Sequence, residues 1–178
     1  MAIPGLSKLL HTKITLPPQR RALLSRDRLL ALLDGGLEQP VILIAAGAGF
    51  GKSTLVTQWL HTAAAQARVA WLSLDADDND PVRFWSYVLG ALERAAPGVS
   101  AEASELLRDP QGGATESAIA ALLNRLQHDE RPLLLALDDY HLITRPEIHR
   151  SLTYAIDHLP AHIHLVITTR ADPPLPLS

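Results

Sequence analysis

The chain has 178 residues, 47% of them apolar and 20% charged, enough for one well-buried domain and short for two. A formal net charge of -3, with basic residues scattered apart from Arg20-Arg21 and Arg26/Arg28, gives no field that attracts nucleic acid. The absence of cysteine excludes disulfides and thiolate metal sites; no apolar run approaches the ~20 residues of a membrane span and no signal-peptide core opens the chain, so the cytoplasm is the expected location.

Residues 1–22 contain Pro4, Pro17 and Pro18 and no sustained period, and read as an irregular arm packed along a domain that fills residues 23–178. Ser25 is placed to cap a helix whose Leu29, Leu30, Leu32 and Leu33 form one stripe, stopped by Gly35-Gly36. Val41 to Ala45 is a strand apolar on both faces, the pattern of a central parallel strand covered by helices, and chemistry belongs at its C-terminal end. A helix from Gly51 turns Leu55, Val56, Trp59 and Leu60 inward, and residues 69–74 return as a second strand, an α/β alternation.

Asp80-Pro81 starts the next helix by the cap-then-proline rule, with Phe84, Trp85, Val88, Leu89 and Leu92 inside and Pro97-Gly98 at its end. Residues 97–114 are the most loop-like stretch, the expected place for disorder, with room for a short helix at 102–108. Thr115 is placed to cap a helix carrying Ile119, Leu122, Leu123 and Leu126. Residues 133–137 form a third, fully apolar strand ending in Asp138-Asp139. Ile148, Leu152, Ile156 and Leu159 mark a helix closed by Pro160, and residues 162–168 form a fourth strand.

The chemistry concentrates where the first strand meets its helix. Ala46-Gly47-Ala48-Gly49-Phe50-Gly51-Lys52-Ser53-Thr54 fits the P-loop pattern, with alanine where the first glycine is commonest. The missing side chains let backbone N–H groups point at a β-phosphate, and the helix adds its positive end. Lys52 reaches the β and γ oxygens, and Ser53 ligates magnesium. A glycine-rich turn that binds nothing is the other reading; the buried strand before it and the amphipathic helix after it favour phosphate.

Asp138 at the end of the third strand is placed to hold the magnesium, and Asp139 to orient or deprotonate an attacking water. Without the P-loop the same pair would read as caps for the next helix. Arg170, after Thr168-Thr169, faces the γ-phosphate if the fourth strand lies between the first and third; a surface salt bridge is the alternative. His162 and His164 share a face without a carboxylate or thiolate partner and read as edge residues. His141 follows the acidic pair closely enough to touch groups behind the site. Asp75, Asp77, Asp78 and Asp80 read as turn and cap chemistry, and Trp71, Trp85 and Phe84 as packing.

Four stretches, AGAGFGKSTLVTQW, WLSLDADDNDPVRFWSYV, LLLALDDYHLI with RPEIHRSL, and LVITTRADPPLPL, together resemble the nucleotide-binding domain of the MalT-like, large LuxR-type transcriptional regulators, of the STAND class of signal-transducing ATPases. The resemblance runs from Thr12 to Leu177. It implies a parallel sheet flanked by helices in the order 1-4-3-2, with a fifth strand beside the first missing here, and it implies ATP/ADP switching with Mg2+. Promoter DNA would be bound through a C-terminal helix-turn-helix outside this segment, which itself binds no nucleic acid and no membrane. Where many relatives carry Gly-Arg with a glutamate three residues on, this chain has Ser25-Arg26 and then Leu29, so Arg26 is carried over as a contact to the adenine or ribose. Three functions stay open: an ATP-dependent switch with at most slow hydrolysis, a working ATPase or kinase, and a scaffold that nucleotide stabilises. The unpaired edge of the first strand is an expected route to self-association.

Overall fold

The computed structural model describes residues 9–19, 26–109, 114–129 and 131–176. Its four apolar runs, β1 (Val41–Ala45), β2 (Arg68–Ser73), β3 (Leu133–Asp138) and β4 (Ile163–Thr169), pair in parallel in the order β1-β4-β3-β2. This is the order the sequence resemblance implies. β4 therefore lies between the strand that leads into the P-loop and the strand that ends in the acidic pair, and all four C-terminal ends share one edge of the sheet.

The described residues form six α-helices: α1 (Asp27–Gly35), α2 (Lys52–Ala63), α3 (Pro81–Ala95), α4 (Ala101–Leu106), α5 (Ala114–Gln127) and α6 (Pro146–Asp157). α1 and α2 pack on one face through Leu33, Leu55, Val56, Trp59 and Leu60 against Ile42, Trp71, Leu134, Ala136 and Val166. α3, α5 and α6 cover the other through Phe84, Val88, Leu92, Ile119, Leu122, Ile148 and Leu152. Every residue of β3 is buried, as a strand covered on both faces requires. Asp80 caps α3 by accepting from the Arg83 N–H at 2.8 Å, with Pro81 in the first turn. Asp75 and Asp78 form a reciprocal capping box at the preceding 3-10 turn.

β1 pairs only with β4 among the described residues, the edge position that the order 1-4-3-2 gives it, and Leu43 is 37% exposed. Two helix ends differ from the sequence reading. α5 begins at Ala114, so Thr115 belongs to its first turn instead of capping it, and α6 ends at Asp157, before Leu159. The stretch 97–114 contains α4; residues 110–113 within it lie outside the described residues, as do Ser25 and the arm boundary at residue 22. The turn into α4 is held by the Glu93 carboxylate, which accepts from the N–H groups of Gly98 and Ser100 and from the Ser100 hydroxyl.

Residues 9–19 lie against β2. The Ser73 N–H donates to the Lys13 carbonyl at 2.9 Å, and Ile14 enters the core. The Lys13 ammonium donates to Asp75 at 2.9 Å and to the fully buried Asp78, and lies 4.4 Å from the Tyr87 ring centroid. Arg83 reaches Asp78 at 3.3 Å from a side chain that is 41% exposed. Replacing Lys13 leaves the buried Asp78 carboxylate with the Asp75 N–H and one partly solvated cation, Arg83. Lys13→Met is expected to lower unfolding stability by about 2 kcal/mol or more, seen as a fall in the thermal midpoint; an unchanged midpoint would mean the arm is not fastened by this ion pair.

Candidate nucleotide-binding site

The first strand delivers the chain to the C-terminal edge of the sheet, and Ala46 continues it by one bond, its N–H donating to the Thr169 carbonyl at 3.2 Å. The loop that follows needs backbone that side chains resist: Gly49 and Gly51 have φ of 80° and 77°. Gly51 occupies the N-cap of α2, and the Leu55 N–H closes the first turn onto its carbonyl at 2.9 Å. The free N–H groups of that turn and the helix dipole give this end of α2 its affinity for anions. Phe50 stands 68% exposed at the crest of the loop.

Lys52 is buried. Its ammonium donates to the carbonyls of Ala46 at 2.6 Å and Gly47 at 3.0 Å, which hold the charge across the loop. Arg26, the residue before α1, donates from Nη1 to the Phe50 carbonyl at 3.1 Å, and its guanidinium lies against Gly51. Its contact is thus with the backbone of the loop.

Asp138 is the meeting point of three elements. Its Oδ1 accepts from the Ser53 hydroxyl of α2 at 2.8 Å and from the Thr168 hydroxyl of β4 at 2.6 Å. Burial pushes its carboxyl above the usual range against the pull of those two hydrogen bonds. Ser53 and Asp138 are oxygen donors already in contact, one on the P-loop helix and one on the acidic strand, so the pair fits a hard divalent cation that also binds phosphate. The hydroxyl of Thr168 also accepts the Asp139 N–H at 2.9 Å, a bridging role that the sequence reading did not assign.

Asp139 is the single non-glycine residue with positive φ among the described residues, at 61°, and its side chain is 40% exposed. Aspartate tolerates this region better than most residues, and such conformations gather at functional sites. The turn after it, Tyr140–Leu142, is fixed on both sides. The Tyr140 hydroxyl and His149 Nδ1 of α6 are 2.8 Å apart, and burial holds the tyrosine protonated and the imidazole neutral. Asn79 accepts from the N–H groups of Thr144 and Arg145 and donates to the Leu142 carbonyl at 2.7 Å. Arg170, exposed at the end of β4, follows Thr169, which pairs with Ala45 of β1. His162 and His164 contact backbone carbonyls, of Leu126 at 3.2 Å and of Gln39 at 3.0 Å.

The loop, the helix behind it and the acidic strand converge on one place, the C-terminal edge of the sheet beside α2, and this architecture is that of the P-loop ATPases. The chain belongs to the AAA ATPase domain family, whose model matches residues 19–168. It is 38% identical over 167 residues to the HTH-type transcriptional regulator MalT of Cronobacter sakazakii and 36% identical to that of Serratia proteamaculans. In each case the match covers 94% of this chain and 18% of the relative, so the chain spans about a fifth of the length of these curated relatives. In fold it is similar to the crystal structure of Cdc6p from Pyrobaculum aerophilum, with a TM-score of 0.57 and 16% identity over 89% of this chain and 44% of that one. Among the described residues no helix is long and apolar enough to cross a membrane.

Proposed function

We propose that the chain is the ATP-binding switch domain of a signal-responsive transcriptional regulator of the MalT-like, LuxR-type, STAND class, reset by slow hydrolysis. The observation that carries this reading is the hydrogen-bonded link Ser53–Asp138–Thr168, which ties α2, β3 and β4 together where the γ-phosphate and Mg2+ would sit. Thr168 passes the link on to the Asp139 backbone and so to the pinned turn and α6. A ligand held by Ser53 and Asp138 therefore acts on the turn after β3 as well as on the loop that grips it, as differential binding to two arrangements requires.

In this reading Gly47, Ala48, Gly49, Phe50, Gly51 and Thr54 present backbone around the phosphates, and Lys52 reaches the β and γ oxygens. Ser53 and Asp138 hold magnesium, which neutralises charge on the phosphates when bound. Asp139 orients the attacking water, and Arg170 reads the γ-phosphate. Promoter contact belongs to a helix-turn-helix outside these residues, in keeping with the net charge of -3.

Two measurements test the reading. Single-turnover and steady-state phosphate release should be slow, and rates of ~1–100 per second, the range of kinases, would contradict a switch. Arg170→Ala should narrow the preference for ATP over ADP by about 1.5–3 kcal/mol, the value of one charge-assisted contact, or ~10–100-fold in the ratio of dissociation constants. An unchanged ratio would return Arg170 to the surface.

A further inference from the structure

His141 lies in the turn Tyr140–Leu142 with its side chain 15% exposed, and both ring nitrogens are buried without a hydrogen-bond partner among the described residues. Leaving two buried polar atoms unpaired is costly, and such atoms in a folded protein call for an explanation. Five other histidines set the contrast. His61, His149, His158, His162 and His164 each contact a carbonyl or a hydroxyl at 2.8–3.2 Å.

The charged groups acting on His141 are Arg170, Asp139, Lys52 and Asp138, the four side chains assigned above to the phosphates, the metal and the water. Burial, followed by Arg170, holds the imidazole below its usual range against the opposing pull of Asp139. A neutral ring offers one N–H and one lone pair. Nδ1 stands 3.7 Å from Asp139 Oδ1, longer than a hydrogen bond by less than an ångström. The Asp139 side chain is 40% exposed and has room to close that gap.

We propose that His141 is a positioning residue of the hydrolytic site, its Nδ1–H donating to the Asp139 carboxylate and fixing the orientation in which that carboxylate holds the attacking water. His141 neither takes nor releases a proton in the reaction. Water adds to the γ-phosphorus, the bond to the β-phosphate oxygen breaks, and the water proton passes through Asp139 to the product phosphate. This rests on the ATPase reading of the site.

The test uses the 178-residue chain and its variants at position 141. His141→Ala should lower the turnover number about tenfold, the loss of one charge-assisted hydrogen bond, while ATP affinity and melting temperature stay close to wild type. His141→Asn, whose amide N–H falls near the position of Nδ1, should recover most of the rate. His141→Gln, whose amide falls near Nε2, should not. Unchanged turnover in the alanine variant overturns the proposal, and so does a joint fall of affinity, melting temperature and rate that asparagine does not rescue. Imidazole 15N spectra with ATP and Mg2+ give a readout independent of turnover: an Nδ1–H tautomer for the resonance missing in His141→Asn supports the proposal, and an Nε2–H tautomer overturns it. A wild-type chain that binds no ATP at all would instead sink the reading of the site, and this proposal with it.

Discussion

Lys52→Ala should abolish ATP binding at ordinary titration concentrations while leaving the fold nearly intact. The ammonium supplies charge-assisted contacts to the β and γ oxygens; two of them at about 1.5–3 kcal/mol each make the loss ~100-fold or more in affinity. The cost to the fold is smaller, although Lys52 is buried. Its partners are two loop carbonyls, of Ala46 and Gly47, at the sheet edge, and water replaces the lysine there. Stability should fall by on the order of 1 kcal/mol, the net value of an ordinary hydrogen bond, because water takes over the two carbonyls. Calorimetric titration alongside a thermal melt followed by circular dichroism separates the two effects. Loss of the folded spectrum in step with loss of binding would show the lysine to be a structural residue.

The second large effect has two signs. Asp138→Asn should remove the magnesium dependence of ATP binding, because a neutral amide is a poor ligand for a hard cation, and it should also stabilise the protein measured without nucleotide. Burial raises the Asp138 carboxyl above its unfolded value, so the folded chain holds that proton more tightly than the unfolded chain. The ionised form therefore costs stability as pH rises from the unfolded carboxylate value through the raised one, and the full cost applies above the raised value. Asparagine removes that charge and keeps an oxygen for the hydroxyls of Ser53 and Thr168. The gain should be on the order of 1 kcal/mol, or ~2–4 °C in Tm, and should vanish below the unfolded carboxylate pKa, where the wild-type group is already protonated. Asp139→Asn provides the contrast. Its side chain is 40% exposed and asparagine accepts left-handed backbone as readily, so folding and ATP binding should be spared while hydrolysis falls. Equal effects of the two substitutions would end the division of roles.

The parts of the fold legible from sequence are those written locally. Alternation of apolar runs with helical stripes yields the four strands and the helices on Trp59, Trp85 and Ile148, and the spacing of Gly47, Gly49, Gly51 and Lys52 marks the phosphate loop in one short window. Strand order came from resemblance, since nothing in the run Ile163–Thr169 states that it inserts between β1 and β3. What could not be read depends on contacts between distant residues. Lys13 meets Asp78 across 65 positions, and Thr168 meets Asp138 across 30. His141 was noticed for its place after the acidic pair, but its unpaired nitrogens are visible only in three dimensions. The exposure of Leu43, 37% on a strand whose apolar residues on both faces suit burial, is likewise visible only in three dimensions.

The central claim is that this site distinguishes a triphosphate with its metal from a diphosphate, and isothermal titration of the wild-type chain with ATP and with ADP, each with and without Mg2+, tests it directly. The account predicts one site per chain, tighter binding of ATP when magnesium is present, and a weaker response of ADP to the metal. Binding that ignores both the γ-phosphate and magnesium, or no binding of either nucleotide, would contradict it.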